Sequence, residues 1–425
     1  MSGLAFYRAL TGAIELAATP WAWAARAAGG DRAARFGYGE ARGATWVHAA
    51  SVGEVSAAAP LVRALGAHRP SEDRTVSAAT RTGLAAWRRE LERRPPGGAP
   101  VAIAAWPLDY PGVTRRAFEA RRSRRLLVVE TELWPNALAA AFERGARVAF
   151  VNARLSERHW PRTRLLKGVL APLLTRVSAC ATQTEADLAR WADLGVPRDA
   201  LTVTGNTKYD QVPGLPDAAV RAATRARLGI PEAARLFTWG SVRPGEEPAL
   251  AEAARALDAV ASPLTLVAAP RHPERAPGML AALARAGASV TTWRPGEPWP
   301  RPGVVVWIPL LGVLRDLFEI AEVACVGGTF APWGGHNAAE PAALGVPVVL
   351  GAHHGSIREV VDALLARGGG VVAADGAAAA RAALAWAADP GAREEAAAAA
   401  RRAVLDLGGA TARTIGFLEA RGFWG

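Results

Sequence analysis

The chain has 425 residues, of which 51% are hydrophobic and 21% charged. This composition is that of a folded protein and excludes long disordered regions, and the length predicts two domains of roughly 200 residues each. The net charge of +11 suits nucleic acid, an anionic membrane surface or an acidic substrate. No nucleic-acid-binding motif is present, so we do not expect nucleic acid as a partner.

Two cysteines, Cys180 and Cys325, lie far apart in apolar runs of the sequence. Such runs predict buried strands, so we expect free thiols in a reducing compartment. Two cysteines so far apart in the sequence give no indication of a metal site.

Residues 4–28 are mostly apolar and are interrupted by Arg8, Glu15 and Arg26. We predict an N-terminal apolar membrane-anchor helix over residues 1–28, for which a spanning form and a form lying in the interface are both feasible and the interfacial form is favoured. A helix packed on the first domain is the alternative. The membrane interpretation is favoured by Trp21 and Trp23, which suit the interface, and by basic residues typical of a cytoplasmic flank: Arg26, Arg32, Arg35 and Arg42.

Short apolar runs alternate with helix-like segments along the rest of the chain, which predicts α/β domains with parallel sheets. This alternation is interrupted at residues 210–217, which contain two prolines and are the best candidate for a linker between the two domains. We therefore expect two Rossmann-like domains, 29–212 and 213–425, facing each other across a cleft, with two or three helices within 376–421. The predicted strands are 45–49, 75–79, 101–105, 126–130, 147–151, the run around Cys180, 201–204, 236–240, 264–269, 304–308, 323–327 and 346–350.

Ligands bind beyond the carboxyl ends of strands in such sheets, so the loops after the strands are the candidate sites. In the first domain, Glu54 lies in the first turn of a predicted helix, where the helix dipole favours its ionised form, as a base requires. A helix-capping role explains Glu54 equally well. Glu130 and Glu132 follow another strand and would point to opposite sides if the strand persists, so we expect at most one to face the cleft. Lys208, near the linker, could hold a phosphate or carboxylate.

In the second domain, glycine-rich loops predict a nucleotide site. Glycines let backbone N–H groups approach a phosphate, and a helix beginning near Gly335 would offer its positive end. Arg271 supplies a cation, and Glu340 could accept hydrogen bonds from ribose hydroxyls. Neither a GxGxxG fingerprint nor a Walker lysine motif occurs, which argues against nicotinamide cofactors and ATP.

Six ordered motifs resemble those of the Kdo (3-deoxy-D-manno-octulosonic acid) transferase family, over about residues 46–355. They are SVGE (51–54), ETELWP (130–135), NARLS (152–156), GNTKYD (205–210), PRHPER (270–275) and GGHN (334–337) with Glu340. The resemblance implies a GT-B fold and metal-independent, inverting transfer of Kdo from CMP-Kdo to a lipid A precursor. It also implies the cytoplasmic face of the inner membrane as the location, and it implies no cofactor.

The resemblance further implies roles for single residues. Glu54 matches the general base, while Glu130 and Lys208 match residues that support the transition state. The residues implied to hold CMP are Pro270, Arg271, Leu311, Gly312, Val313, Asn337, Ala338, Ala339 and Glu340.

Two positions depart from the family pattern. Val313 stands where a glutamate is usual, and Arg243 stands where a histidine is usual. A related acidic sugar is therefore an alternative donor. The alternative functions are a GT-B transferase or epimerase that uses another nucleotide sugar, and a non-catalytic membrane-bound protein that binds sugar or lipid.

Overall fold

The computed structural model describes residues 3–39, 43–157, 159–300 and 303–425. It divides into two compact units, the first comprising residues up to Gln211 together with Gly408–Gly425, and the second Val212–Leu407. The assignment of residues 408–425 to the second domain was therefore wrong. The last helix packs on the first unit, and the Asp210 carboxylate accepts the N–H groups of Ala410 and Thr411 at its start.

The sheet of the first unit has seven strands, all paired in parallel, in the order β3-β2-β1-β4-β5-β6-β7. Its strands are β1 Thr45–His48, β2 Arg74–Ala78, β3 Val101–Ala105, β4 Arg125–Val129, β5 Arg147–Ala153, β6 Ala179–Thr182 and β7 Leu201–Val203. Its helices are α1 Gly3–Ala17, α2 Thr19–Ala28, α3 Gly30–Arg35, α4 Val52–His68, α5 Arg81–Arg93, α6 Pro111–Arg121, α7 Pro135–Glu143, α8 Trp160–Leu165, α9 Lys167–Leu174, α10 Glu185–Leu194 and, after the second unit, α19 Ala410–Ala420.

Helices cover both faces of this sheet, which explains why its central strands are apolar without alternation. In β4, Leu126 and Val128 belong to one buried cluster, whereas Leu127 and Val129 belong to a second cluster on the other face. The second cluster also contains Leu418, Phe423 and Trp424 from the end of the chain. Residues 408–425 thus complete the core of the first unit.

The second unit contains another parallel seven-stranded sheet, in the order β10-β11-β9-β8-β12-β13-β14. The strands are β8 Arg235–Val242, β9 Leu264–Pro270, β10 Val290–Thr292, β11 Val305–Trp307, β12 Val323–Val326, β13 Val348–Leu350 and β14 Gly370–Val372. The helices are α11 Ala218–Leu228, α12 Glu247–Asp258, α13 Ala276–Arg285, α14 Leu314–Glu319, α15 Ala339–Ala343, α16 Arg358–Arg367, α17 Gly376–Ala388 and α18 Pro390–Leu407.

The N-terminal segment forms two helices instead of the single anchor helix expected over residues 1–28. Pro20 has no N–H group to donate to the carbonyl of Leu16, and the Thr19 hydroxyl donates to that carbonyl instead, at 2.8 Å. Within the described residues, no helix is both long enough and apolar enough to cross a membrane. Arg42, one of the expected flanking cations, lies outside the described residues.

Helix α1 packs against α6 and α9 of the first unit, as the alternative interpretation predicts. Glu15 accepts the N–H of Gly112 at 2.6 Å and contacts Arg116, and Tyr7 donates to Asp109 at 2.9 Å. The face of α1 away from the domain is apolar and exposed: Phe6, Leu10 and Ile14 follow one another at four-residue spacing. We call these three residues the apolar strip.

Candidate active site

In the first unit, the candidate site lies where the strand order reverses. Strands β1 and β4 are neighbours, and the chain leaves them in opposite directions, which is where open α/β sheets bind ligands. Glu54 lies in the first turn of the helix that follows β1, and the loop after β4 carries Glu130 and Glu132. The topology therefore brings two of the sequence motifs together.

Glu54 lies in the first turn of α4. One carboxylate oxygen accepts the N–H of Ala50 at 2.7 Å, and the other accepts the hydroxyl of Ser51 at 3.1 Å. Burial, together with the charges of Glu132 and Glu130, raises the pKa of Glu54 to about 7. The helix dipole was expected to favour the ionised form, but desolvation is the larger effect and the pKa lies above its ordinary value. A carboxylate with this pKa suits proton transfer near neutral pH.

Glu130 breaks strand β4 and turns the chain. Its φ is 59°, in the left-handed region that side chains other than glycine rarely adopt. Strand β4 ends before Glu130, so the condition under which Glu130 and Glu132 would point to opposite sides is not met. The charges of both residues raise the pKa of Glu54. Backbone strain of this kind is concentrated at functional sites.

Lys208 pairs with Glu130 at 2.7 Å from Nζ to Oε1. Its loop is fixed by the preceding residue, Thr207, which donates its N–H to the Asn152 side chain at 3.0 Å and its hydroxyl to the carbonyl of Ala57 at 2.7 Å. Asn152 also has a positive φ, of 51°. Thus the NARLS and GNTKYD motifs meet, and together they place the ammonium of Lys208 beside Glu130.

His48, the last residue of β1, is a further candidate site residue, and no role was predicted for it from the sequence. Its side chain is fully buried, and its ring stacks on Trp106 with centroids 3.7 Å apart. Nδ1 lies 3.1 Å from the Ser77 hydroxyl, and Nε2 lies 3.6 Å from a carboxylate oxygen of Glu132. Burial lowers the pKa of His48, so the ring is neutral. A neutral histidine does not offset the negative charge of Glu132 beside Glu54. In the sequence, the one signal for His48 is its position shortly before the SVGE motif.

In the second unit, the strand order reverses between β8 and β12. Arg243, after β8, donates from Nε to Nε2 of His336 at 2.9 Å and lies over the Trp333 ring at 4.8 Å. Burial and the charge of Arg243 lower the pKa of His336 to about 4, and Arg271 contributes. His336 is therefore neutral, and the guanidinium groups of Arg243 and Arg271 supply the positive charge here.

The backbone N–H groups expected for a phosphate are partly occupied. Glu246, fully buried, accepts the N–H groups of Thr329 and Phe330 at 3.1 and 3.0 Å, and that of Arg243 at 2.8 Å. The helix expected near Gly335 begins at Ala339 and is only five residues long. Gly335 instead has a φ of 89°, as part of a loop. Positive side chains are thus the main candidates for anion binding in this unit.

The residues implied to hold CMP lie at or beyond the carboxyl ends of β9, β11 and β12, and Pro270 is the last residue of β9. Arg271 is exposed, and its charge lowers the pKa of Glu340, although burial raises that pKa overall. Arg315, next to the Leu311–Val313 loop, has the same effect. Arg271, Glu340 and this loop therefore lie within electrostatic range of each other. The remaining predicted residues, Asn337, Ala338 and Ala339, lead into α15.

A metal site has no support in the part of the chain that the structure describes. Groups of three or more His, Cys, Asp or Glu side chains able to hold a metal ion were not found there. Cys180 and Cys325 are free and buried, as predicted.

Comparisons with known proteins identify the family. Residues 30–211 match the family model of 3-deoxy-D-manno-octulosonic-acid transferase (kdotransferase). A 3-deoxy-D-manno-octulosonic acid transferase of Bordetella pertussis is 35% identical, over 82% of this chain and 83% of that protein. One of Haemophilus influenzae is 32% identical, over 75% of this chain and 73% of that protein.

Among solved structures, UDP-GlcNAc 2-epimerase from Neisseria meningitidis aligns with a TM-score of 0.61 and 14% identity, over 88% of this chain and 99% of that one. That likeness concerns the fold alone and confirms two parallel-sheet α/β domains of GT-B-like type. The sequence relationships decide the family, because the relatives from Bordetella pertussis and Haemophilus influenzae cover most of both chains. The family-model match over residues 30–211 includes Glu54, Glu130 and Lys208. The chain belongs to the 3-deoxy-D-manno-octulosonic acid transferase family.

Proposed function

We propose that this chain transfers Kdo from CMP-Kdo to a lipid A precursor, with inversion at the anomeric carbon and without a metal ion. In this reaction an acceptor hydroxyl oxygen forms a bond to the anomeric carbon of Kdo. The bond from that carbon to the phosphate oxygen breaks, and CMP leaves with the electron pair. A base takes the proton of the hydroxyl.

The observation that carries the proposal is Glu54, whose pKa is raised to about 7 beside the Glu130–Lys208 pair. A general base works best when its pKa lies near the working pH. Glu54 is anchored through the N–H of Ala50 and the hydroxyl of Ser51, so its carboxylate is held in one orientation. Glu54 is thus the base, and Lys208 and Glu130 stabilise charge that develops during transfer.

The test is transfer itself. The purified full-length chain is incubated with CMP-Kdo and a tetraacylated lipid A precursor in detergent, without metal and with a chelator. We expect release of CMP and a lipid product heavier by one or more Kdo residues in the mass spectrum. Release of CMP without a change in the lipid, or transfer only from another nucleotide sugar, would contradict the proposal.

The nucleotide site is proposed in the second unit, with Arg271 on the phosphate and Glu340 on the ribose. We expect Arg271→Ala to weaken CMP binding by about tenfold or more, since a hydrogen bond to a charged group contributes about 1.5–3 kcal/mol. Glu340→Ala should lower the preference for CMP over deoxy-CMP. Isothermal titration calorimetry measures both.

The matched control for this experiment is Arg285→Ala, which removes an arginine from the last turn of α13 in the same unit. It should leave CMP affinity within twofold. If Arg271→Ala and Glu340→Ala bind both nucleotides like the parent, the nucleotide site lies elsewhere.

We also propose that the chain rests on an anionic membrane surface, at the cytoplasmic face of the inner membrane, where its lipid acceptor lies. The supporting feature is the exposed apolar strip on α1, followed by Trp21 and Trp23 on α2, which are 67% and 70% exposed. Leu165 and Leu166 are also exposed, and their helix pair meets α1 where Gly3 lies against Gly168. Basic residues on these helices add attraction to anionic lipid: Arg162, Arg164 and Lys167.

Replacing both exposed tryptophans tests this contact without disturbing the fold. We expect the Trp21→Ser, Trp23→Ser double variant to bind vesicles containing phosphatidylglycerol at least tenfold more weakly than the parent, because two amphipathic rings no longer enter the interface. Flotation measures binding, and thermal unfolding should be unchanged. Val260→Ser, at an exposed valine of the second unit, is the control. Equal flotation of the parent and the double variant would refute the contact.

A further inference from the structure

A basic cavity of about 950 Å³ lies in the first unit, away from Glu54. Its lining comes from the residues at or just before the first residues of β1, β2, β4 and β5, and from the end of the chain at Phe423–Gly425. Glu54, Glu130 and Lys208 follow the opposite, carboxyl ends of strands. Since β4 has five residues, the two edges are about 13 Å apart along that strand. The cavity is therefore distinct from the candidate active site.

Six arginines line the cavity: Arg69, Arg121, Arg122, Arg124, Arg125 and Arg147. Two of them share Glu72, which accepts hydrogen bonds from Arg69 at 2.7 Å and from Arg125 at 2.6 Å. The other carboxylate side chain among the lining residues is Asp73. Six guanidinium groups thus accompany two carboxylate side chains, an excess of positive charge that suits a ligand with more than one negative charge.

Arg121 is the most informative of these residues. Its side chain is only 1% exposed, yet no described residue accepts a hydrogen bond from Nε or Nη2. Its remaining contacts are a 3.3 Å bond from Nη1 to the carbonyl of Ala117 and a position 4.5 Å over the Trp46 ring. Burial alone lowers the pKa of Arg121, to about 10. A buried cation with no anionic partner among the described residues is unfavourable, so a ligand that supplies one would stabilise this arrangement.

The second unsatisfied group is Trp424. Its ring is almost buried, its Nε1 has no partner among the described residues, and the guanidinium groups of Arg69 and Arg125 lie over it at 5.5 and 5.6 Å. The unsatisfied atoms of Trp424 and Arg121 are all hydrogen-bond donors. A ligand that fits them must offer acceptors and negative charge, and phosphate offers both.

We infer that this cavity binds a ligand carrying two phosphate groups. The volume lies within the range of about 300–1,000 Å³ typical of small-molecule sites, so it holds more than a single phosphate ion. A soluble diphosphate compound and the phosphorylated head group of a lipid share this chemistry. The inference does not depend on the proposed function, because none of the residues used for transfer lines the cavity.

The test is calorimetric titration of the full-length chain with pyrophosphate at constant ionic strength, using variants of exposed arginines. The Arg124→Gln, Arg147→Gln double variant should bind pyrophosphate at least tenfold more weakly than the parent. Arg89→Gln, Arg93→Gln removes the same charge from α5 and should bind within twofold of the parent. Arg271→Ala should keep the binding as well, which separates this cavity from the nucleotide site of the second unit.

Arg121→Met provides an independent measurement. Without ligand, its thermal unfolding temperature should equal or exceed that of the parent, because an unpaired buried cation is replaced by an apolar side chain of similar length. Pyrophosphate should raise the unfolding temperature of the parent and not of this variant. Flotation with phosphatidic acid vesicles then identifies the source. Weaker flotation of the Arg124→Gln, Arg147→Gln variant indicates a lipid head group, and unchanged flotation indicates a soluble ligand.

Two results would overturn the inference. One is a parent chain that binds pyrophosphate no better than chloride at the same ionic strength. The other is equal pyrophosphate affinity in the parent and the Arg124→Gln, Arg147→Gln variant. Kdo transfer by that variant should stay within twofold of the parent in either case.

Discussion

Replacing Glu54 with glutamine is expected to lower Kdo transfer by about 10²-fold or more, because glutamine keeps the shape of the side chain but cannot accept a proton. The pH profile gives a second signature. Since the pKa of Glu54 is about 7, kcat/KM of the parent should rise as the pH increases to about 7 and then level off. The rise should be absent from the residual activity of the variant.

Stability measurements distinguish loss of the base from loss of the fold. The folded-state pKa of Glu54 is raised above its ordinary value, so its contribution to stability is present at low pH and is lost as the pH rises through about 7. Glu54→Gln should therefore unfold at the same or a higher temperature than the parent at pH 8. CMP affinity should be unchanged. Near-normal turnover would mean that Glu54 only caps α4.

Replacing Lys208 with methionine is expected to lower transfer by about 10²- to 10³-fold, the range for removing one preorganised hydrogen-bond donor from an active site. The substitution also leaves the Glu130 carboxylate without its cation, 2.7 Å away in the parent. Because the charge of Glu130 raises the pKa of Glu54, unmasking it should raise that pKa further. The inflection in kcat/KM should therefore move to higher pH.

Glu132→Gln is the matched variant, and it should shift the inflection in kcat/KM in the opposite direction. Among the nearby charges, that of Glu132 raises the pKa of Glu54 most, so removing it should move the inflection to lower pH. The pair of shifts measures the electrostatic coupling directly. If neither variant moves the inflection, the group that titrates is not Glu54, and Lys208 acts on the substrate alone.

The sequence predicted the interior strands of both sheets and the two edge strands of the first sheet, and the two described strands that it missed are the edge strands of the second sheet. Strands β10 and β14 have three residues each and are partly exposed, so neither produces the continuous apolar run that marks a buried strand. The central strands were predicted to within a few residues because both of their faces are covered. The environment of the N-terminal segment was more difficult to predict, since the sequence pattern of an apolar helix face is the same whether that face packs on a domain or contacts a membrane.

The positions of the candidate site residues could be predicted, but not their environments. Strand ends predicted that Glu54 and Glu130 lie on one edge of the sheet. The left-handed turn at Glu130, the neutral His48 against Glu132 and the use of Glu246 to hold backbone N–H groups are tertiary effects. Each depends on residues far apart in the chain, and no local pattern records it.

The return of residues 408–425 to the first unit determines the order in which the two units can fold during synthesis. Trp424 and Phe423 belong to the core of the first unit, yet roughly 200 residues of the second unit are made before them. At about 5–20 residues per second, the first unit waits roughly 10–40 seconds with an incomplete core. The second unit, whose segment is continuous, can fold in that interval. If synthesis ended directly after Leu407, the released chain would therefore contain the whole second unit, whereas the first unit, which carries Glu54, would lack residues 408–425.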